Sequence, residues 1–180
     1  MNAPAPRLGD AELHFDTLPP LSLYVHLPWC VRKCPYCDFN SYEARGALPD
    51  LEYVAALLRD FRGEHALAEG RLMETIYFGG GTPSLFSSAA IARLLEGLRA
   101  EGGVAANAEI TLEANPGAVE AERFADFRAA GVNRLSIGIQ SFRNDKLRAL
   151  GRVHTAPADA EGSGRKAGRG PSATPHAGTR

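Results

Sequence analysis

The chain has 180 residues, 44% of them hydrophobic, and a formal net charge of −1, which is enough for one domain with its own core and gives no reason to expect a nucleic-acid partner. No run of about 18 apolar residues exists, so no membrane span is expected, and the first ten residues lack an apolar h-region, so no secretory leader is visible. An odd cysteine count, with all three inside eight residues, excludes a secreted disulfide framework. It points instead to a metal or redox site in a reducing compartment, so a cytoplasmic location is expected.

Residues 1–20 carry four prolines and little periodicity and are read as a flexible leader. Leu21, Leu23 and Val25 then alternate with Ser22, Tyr24 and His26, a period of two that predicts a strand with two chemically different faces. Cys30, Cys34 and Cys37 follow at once as Cys-x3-Cys-x2-Cys. Leu51, Val54, Ala55, Leu58 and Phe61 recur at helical spacing, with Pro49 and Asp50 as a start signal. Residues 75–78 form a second predicted strand, cut off by Gly79, Gly80, Gly81, Thr82 and Pro83. Ile91, Leu94, Leu95 and Leu98 give a helical stripe with Ser87 or Ser88 as N-cap. A third strand over 109–113 ends at Asn115-Pro-Gly117, a strong turn signal. A helix containing Val119, Phe124 and Phe127 stops at Gly131, the fourth strand covers 134–139, and a fourth helix opens over 144–150.

Four strand–loop–helix units in a row predict an α/β fold: a parallel sheet with right-handed crossovers, forming a partial TIM-like barrel over residues 21–153. In such barrels chemistry gathers at the C-terminal ends of the strands, and the cysteines, the glycine triplet, Glu113 and Gln140 all stand at such ends. Residues 154–180 contain no Val, Ile, Leu, Met, Phe, Trp, Tyr or Cys. A segment of that composition cannot bury enough surface to offset its ordering entropy, and a disordered tail is expected. Because four units do not close a barrel, the sequence reads as a truncated or frameshifted gene product with little function of its own.

Three thiolates this close together can hold three irons of a cubane [4Fe–4S] cluster and leave the fourth iron open. Most such clusters use four cysteines. A zinc site with His26 as fourth ligand and a set of inert thiols are the alternatives; the iron–sulfur reading is preferred because three cysteines in a polar loop make poor core residues. Tyr36, between the second and third cysteines, is placed to shield a cluster or lie against an adenine ring. Gly80, Gly81 and Thr82 sit where a backbone without Cβ atoms lets a ligand approach and offers both N–H and C=O groups to an amino-acid moiety; alone they would be only a turn. Glu113 shares a strand face with Glu109 and Thr111, and an inward carboxylate needs a partner, whether a ribose hydroxyl, a cationic ligand group or an arginine. Gln140 is a hydrogen-bonding group at a strand end. Arg152, after Leu150 and Gly151, is a candidate carboxylate clamp or else a solvated charge.

With these residues in place, the chain resembles radical S-adenosylmethionine proteins of the oxygen-independent coproporphyrinogen III oxidase family. The likeness rests on five stretches in family order: Tyr24 to Cys30 running on to Asn40, Tyr77 to Pro83, Glu113 to Gly117, Gly131 to Phe142, and Leu150 to His154. It implies part of a (β/α)6 barrel, a [4Fe–4S] cluster on Cys30, Cys34 and Cys37, and S-adenosylmethionine contacts at Tyr24, Gly80, Gly81, Thr82 and Glu113. Tyr36, Gln140 and Arg152 match positions that contact a second S-adenosylmethionine in the decarboxylating oxidases. Those oxidases resemble Cys-x3-Cys-x2-Cys-x-Cys, whereas this chain has Phe39 at the last place. That departure is similar to the family's haem chaperone branch, which implies haem as cargo, haem-acceptor proteins and an electron donor as partners, and peripheral membrane association of the full-length protein. The alternative that the resemblance keeps open is oxidative decarboxylation of coproporphyrinogen III in porphyrin biosynthesis.

Overall fold

The computed structural model describes residues 17–116, 118–152 and 154–155. The expected leader up to residue 16, the expected tail from residue 156, Gly117, Val153 and the side chain of Val119 lie outside what is described. The elements in chain order are β1 (Leu21–Leu27), β2 (Trp29–Cys30), β3 (Tyr42–Glu43), α1 (Asp50–His65), β4 (Met73–Gly80) and α2 (Ser88–Ala100). They are followed by β5 (Val104–Ala114), α3 (Ala118–Ala130), β6 (Arg134–Ile137) and α4 (Asn144–Ala149). Among the described residues no helix is long and apolar enough to cross a membrane.

Strands β1, β4, β5 and β6 lie side by side in that order, every pair parallel, as consecutive βα units of a barrel wall should. Register aligns Tyr24 with Tyr77, Thr111 and Arg134, and one step on aligns Val25 with Phe78, Leu112 and Leu135. Rows across the sheet therefore alternate in chemistry as well as in direction. The apolar rows meet α1, α2 and α3, and the core comprises Leu27, Ile76, Phe78, Ile110 and Leu112 from the sheet with Val54, Phe61, Ile91, Leu94, Leu95, Leu98 and Phe127 from the helices. The expected α2 stripe is buried throughout. In α1 the expected stripe holds at Val54 and Phe61, but Leu51 is exposed.

Caps fix where the helices start and stop. The Ser87 hydroxyl accepts from Ala90 N at 3.1 Å and donates to Asp50 Oδ2 at 2.6 Å, so one side chain caps α2 and ties it to the first turn of α1. That bond is the main reason the Asp50 carboxyl is held below the ordinary carboxylate range. At the end of α3, Gly131 (φ 112°) and Val132 return N–H bonds to Arg128 and Phe127, a Schellman closure. Asn133 then accepts from Ile110 N and donates to Ala108 O, locking the start of β6 against β5.

Four differences from the sequence expectation bear on the site. β4 continues through Gly79 and Gly80, because pairing to His26 and Leu27 extends it past the last bulky residue. β5 begins at Val104, well before the β-branched run. β6 stops at Ile137, and the backbone then curls through short-range bonds from Ile139 N to Ile137 O and from Ser141 N to Ile139 O, with Gln140 at φ 64°. β2 and β3 form a two-residue parallel pair that clamps the base of the cysteine loop.

Candidate functional site

The cysteine loop springs from an aromatic base. Trp29 packs edge-on against Tyr53 at 4.8 Å, with Phe86 against both, and the Tyr53 hydroxyl donates to His26 O at 3.0 Å. Tyr42 N to Pro28 O and Ala44 N to Cys30 O, both 2.8 Å, close the loop at its neck. Within it Cys37 N bonds Cys34 O at 3.0 Å, and the Lys33 ammonium donates to Phe39 O and Ser41 O. A cation thus supplies donors to carbonyls that a two-residue strand pair leaves over. All three cysteines are free thiols, Cys30 buried and the other two half-buried.

The glycine turn meets that loop directly. Gly81 N bonds Leu27 O at 2.8 Å and Thr82 N bonds Trp29 O at 2.7 Å. A Cβ on Gly80 (φ +115°) would lie 2.7 Å from the His26 ring, and one on Gly81 would lie 2.6 Å from Trp29 O. The absent side chains are therefore required first by the protein's own chain, and the same openness leaves Gly80, Gly81 and Thr82 on the cavity wall.

Glu113 finds its partner on the neighbouring strand. The Tyr77 hydroxyl donates to Glu113 Oε1 at 2.7 Å, and burial together with that carboxylate pushes the phenol up to about 12. Tyr24 stacks beside Tyr77 with ring centroids 6.3 Å apart, and burial, then the Glu113 charge, raises its phenol as well. His26 Nε2 lies 2.8 Å from Asn40 O, which only accepts, so Nε2 carries the proton and Nδ1 accepts from the Tyr24 hydroxyl at 3.0 Å. With both ring nitrogens engaged, His26 is not placed as a zinc ligand.

Arg152 is aimed by a helix cap. Gly151 (φ 68°) bonds Arg148 O and Arg152 N bonds Leu147 O, so α4 ends in a Schellman motif that turns the chain back toward the strand ends. There Nη2 donates to Asn115 Oδ1 at 2.6 Å and Gly138 O at 2.8 Å, and Nη1 reaches Cys34 Sγ at 3.6 Å. Asn115 in turn donates to Thr82 Oγ1 at 3.2 Å. Tyr36 joins the group: burial raises its phenol, Arg152 opposes that, and the Cys34 sulfur reinforces it.

A cavity of about 350 Å³ opens between these loops, lined by Cys30, Cys34, Cys37, Tyr36, Gly80, Gly81, Thr82, Glu113, Gln140 and Arg152. Every expected site residue reaches it except Tyr24, which stands beside Tyr77 on the open sheet face. Asn115 and Ser136 also line it and were not anticipated: Asn115 reads as a turn residue, although Ser136 occupies a polar place in an alternating strand. A second cleft of about 430 Å³, lined by Val31, Leu48, Leu85 and Arg123 among others, contains no cysteine. The Arg123 guanidinium there is already spent on the carbonyls of Ser84 and Phe86.

Among the described residues no three of His, Cys, Asp and Glu converge on a single-ion site. A cubane has a different requirement, one thiolate per iron, met by soft sulfur donors spaced around a shared space. The three thiols on the wall of one cavity fit that group.

A family model described as the Radical SAM superfamily matches residues 24–158. The chain is 60% identical over 137 residues to "Heme chaperone HemW" of Escherichia coli K12, covering 76% of this chain and 36% of the relative. It is 52% identical over 143 residues to the protein of that name from Haemophilus influenzae, covering 77% and 37%. A solved structure of coproporphyrinogen III oxidase (HemN) from Escherichia coli, described as a radical SAM enzyme, superposes with a TM-score of 0.67 at 36% identity, over 75% of this chain and 31% of that one. The chain thus spans about a third of the length of the curated relatives it matches.

Proposed function

The chain belongs to the radical S-adenosylmethionine superfamily, and from that premise we propose that Cys30, Cys34 and Cys37 hold a [4Fe–4S] cluster in a cytoplasmic haem chaperone. When bound, a cluster on those cysteines would supply the electron for reductive cleavage of S-adenosylmethionine. The protein's own residues bind, orient and exclude water. Glu113, held by Tyr77, offers a fixed carboxylate to the ribose or the ammonium. Gly80, Gly81 and Thr82 present backbone polar groups to the amino-acid end, Tyr24 contributes from the open sheet face, and Tyr36 covers the cysteine side. Gln140 and Arg152 also line the cavity, and a second S-adenosylmethionine would contact them. The observation that carries the reading is the convergence of separate stretches of sequence, around the cysteines, the glycines, Glu113 and Arg152, on one cavity.

The haem assignment rests on the higher identity to the relatives named as haem chaperones than to the oxidase, and on Phe39 in place of a further cysteine. The whole protein would bind haem as cargo, pass it to haem-acceptor proteins, draw on an electron donor and associate peripherally with a membrane. Anaerobic reconstitution of the full-length protein followed by haem titration tests this. Iron, labile sulfide and a Soret shift without decarboxylation of coproporphyrinogen III are expected. A protein that holds its cluster, leaves the haem spectrum unchanged and decarboxylates the porphyrinogen is instead an oxidase.

A further inference from the structure

The Cys34 sulfur differs from the other two in its neighbours. Arg152 Nη1 stands 3.6 Å from Cys34 Sγ. Among the described residues, the side-chain contact of Cys37 Sγ is with the Ser41 hydroxyl at 4.0 Å. The guanidinium is not free to swing away. Nη2 is bound by Asn115 and Gly138, Asn115 is bound by Thr82, and the backbone of Arg152 is fixed by the α4 cap. Gly151, the residue that makes the cap, lies so close to the cysteine loop that a Cβ there would be 2.9 Å from the Pro35 ring. Arg152 Nε is buried and has no partner among the described residues. An N–H left that way is costly.

We infer that Arg152 is a positioning and tuning residue for the cluster: its fork, held by Asn115 and Gly138, donates to the Cys34 sulfur and raises the reduction potential of the cluster that this sulfur ligates. The physics is direct. Reduction adds negative charge to the cluster and its thiolates, and a fixed cation with an N–H directed at one sulfur stabilises the reduced form more than the oxidised form. The relay from Thr82 through Asn115 to Arg152 also couples the glycine turn to the cysteine loop, so displacement of one is felt at the sulfur of the other.

The inference rests on the cluster reading, and the experiment separates the two. Full-length protein is reconstituted anaerobically, its iron and sulfide are counted, and the one-electron midpoint is measured by EPR-monitored redox titration. Arg152→Met, with wild-type iron and sulfide, is expected to shift the midpoint downward by about 59 mV or more, a tenfold change in the one-electron equilibrium. Arg152→Lys keeps the charge but loses the fork, and its midpoint is expected between the two. A Met variant with a full cluster and an unmoved midpoint overturns the inference while leaving the cluster reading intact. Should the Met variant lose its cluster, the Lys variant decides, and a midpoint equal to wild type overturns the inference. Wild-type protein without iron and sulfide overturns the cluster reading and the inference with it.

Discussion

On the helix side of the sheet Val25, Ile76, Phe78, Ile110 and Leu112 are each no more than 6% exposed. One residue away along the same strands stand Tyr24, His26, Tyr77 and Glu113, joined in short hydrogen-bonded pairs and open on that side. The strands carry both sets by simple alternation, yet the sets answer to different physics. The first gains from removing carbon from water and from close packing. The second presents polar groups at fixed distances to the open face. The difference teaches that the site can be altered without unfolding its support, and that the support can fail without any site residue changing.

Phe78→Ala tests the helix side most severely. Phe78 is fully buried beneath the helices, and its truncation should cost about 3–5 kcal/mol in urea unfolding. A similar loss from a substitution on the open face would break the comparison. Glu113→Gln is the matching test there. S-adenosylmethionine affinity, measured by equilibrium dialysis on reconstituted protein, should weaken at least about tenfold, since a hydrogen bond to a charged group is worth about 1.5–3 kcal/mol. The unfolding free energy should fall by no more than about 0.5–1.5 kcal/mol, because the Gln oxygen can still accept from Tyr77.

Ser87→Ala sharpens the comparison inside the supporting layer. Loss of the α2 cap should cost about 1 kcal/mol, and the Asp50 carboxyl, released from Ser87, should titrate higher by NMR than in wild type. Tyr77→Phe is the gentlest test. The Tyr77 phenol lies at 10.0 unperturbed and about 12 when folded, so on raising the pH the unfolded chain gives up its proton first. The stabilising contribution is fully present below about pH 10 and is lost as the pH rises through about 12. Unfolding curves across that window should therefore fall more steeply for wild type than for the Phe variant.

Much of this was legible in the chain. The alternation from Leu21 to Leu27, the α2 stripe, the caps at Ser87 and Gly131 and the cysteine triad are local patterns, and local patterns survive folding when each agrees with the whole. What escaped was pairing. Ala105, Ala106 and Asn107 are weak strand formers, but they sit in β5 because the run from Val104 carries a partner for Met73 at its start. Glu113 called for a partner, and nothing in its own segment named Tyr77, which lies 36 residues earlier. Gly80 and Gly81 suggested room for a ligand, and only the Cβ clashes with His26 and Trp29 reveal the demand of the chain itself.

The sequence alone determined the four-unit α/β layout, the trio of thiols and the set of residues at the strand ends, because periodicity, turn chemistry and donor type are properties of short segments. The tertiary structure alone decided that Tyr77 holds Glu113, that Asn115 joins Thr82 to Arg152, and that Arg152 reaches the Cys34 sulfur. Those contacts join segments far apart in the chain, and their distances follow from strand register and from the angle at which a helix cap returns the backbone, neither of which is written in any one stretch of residues.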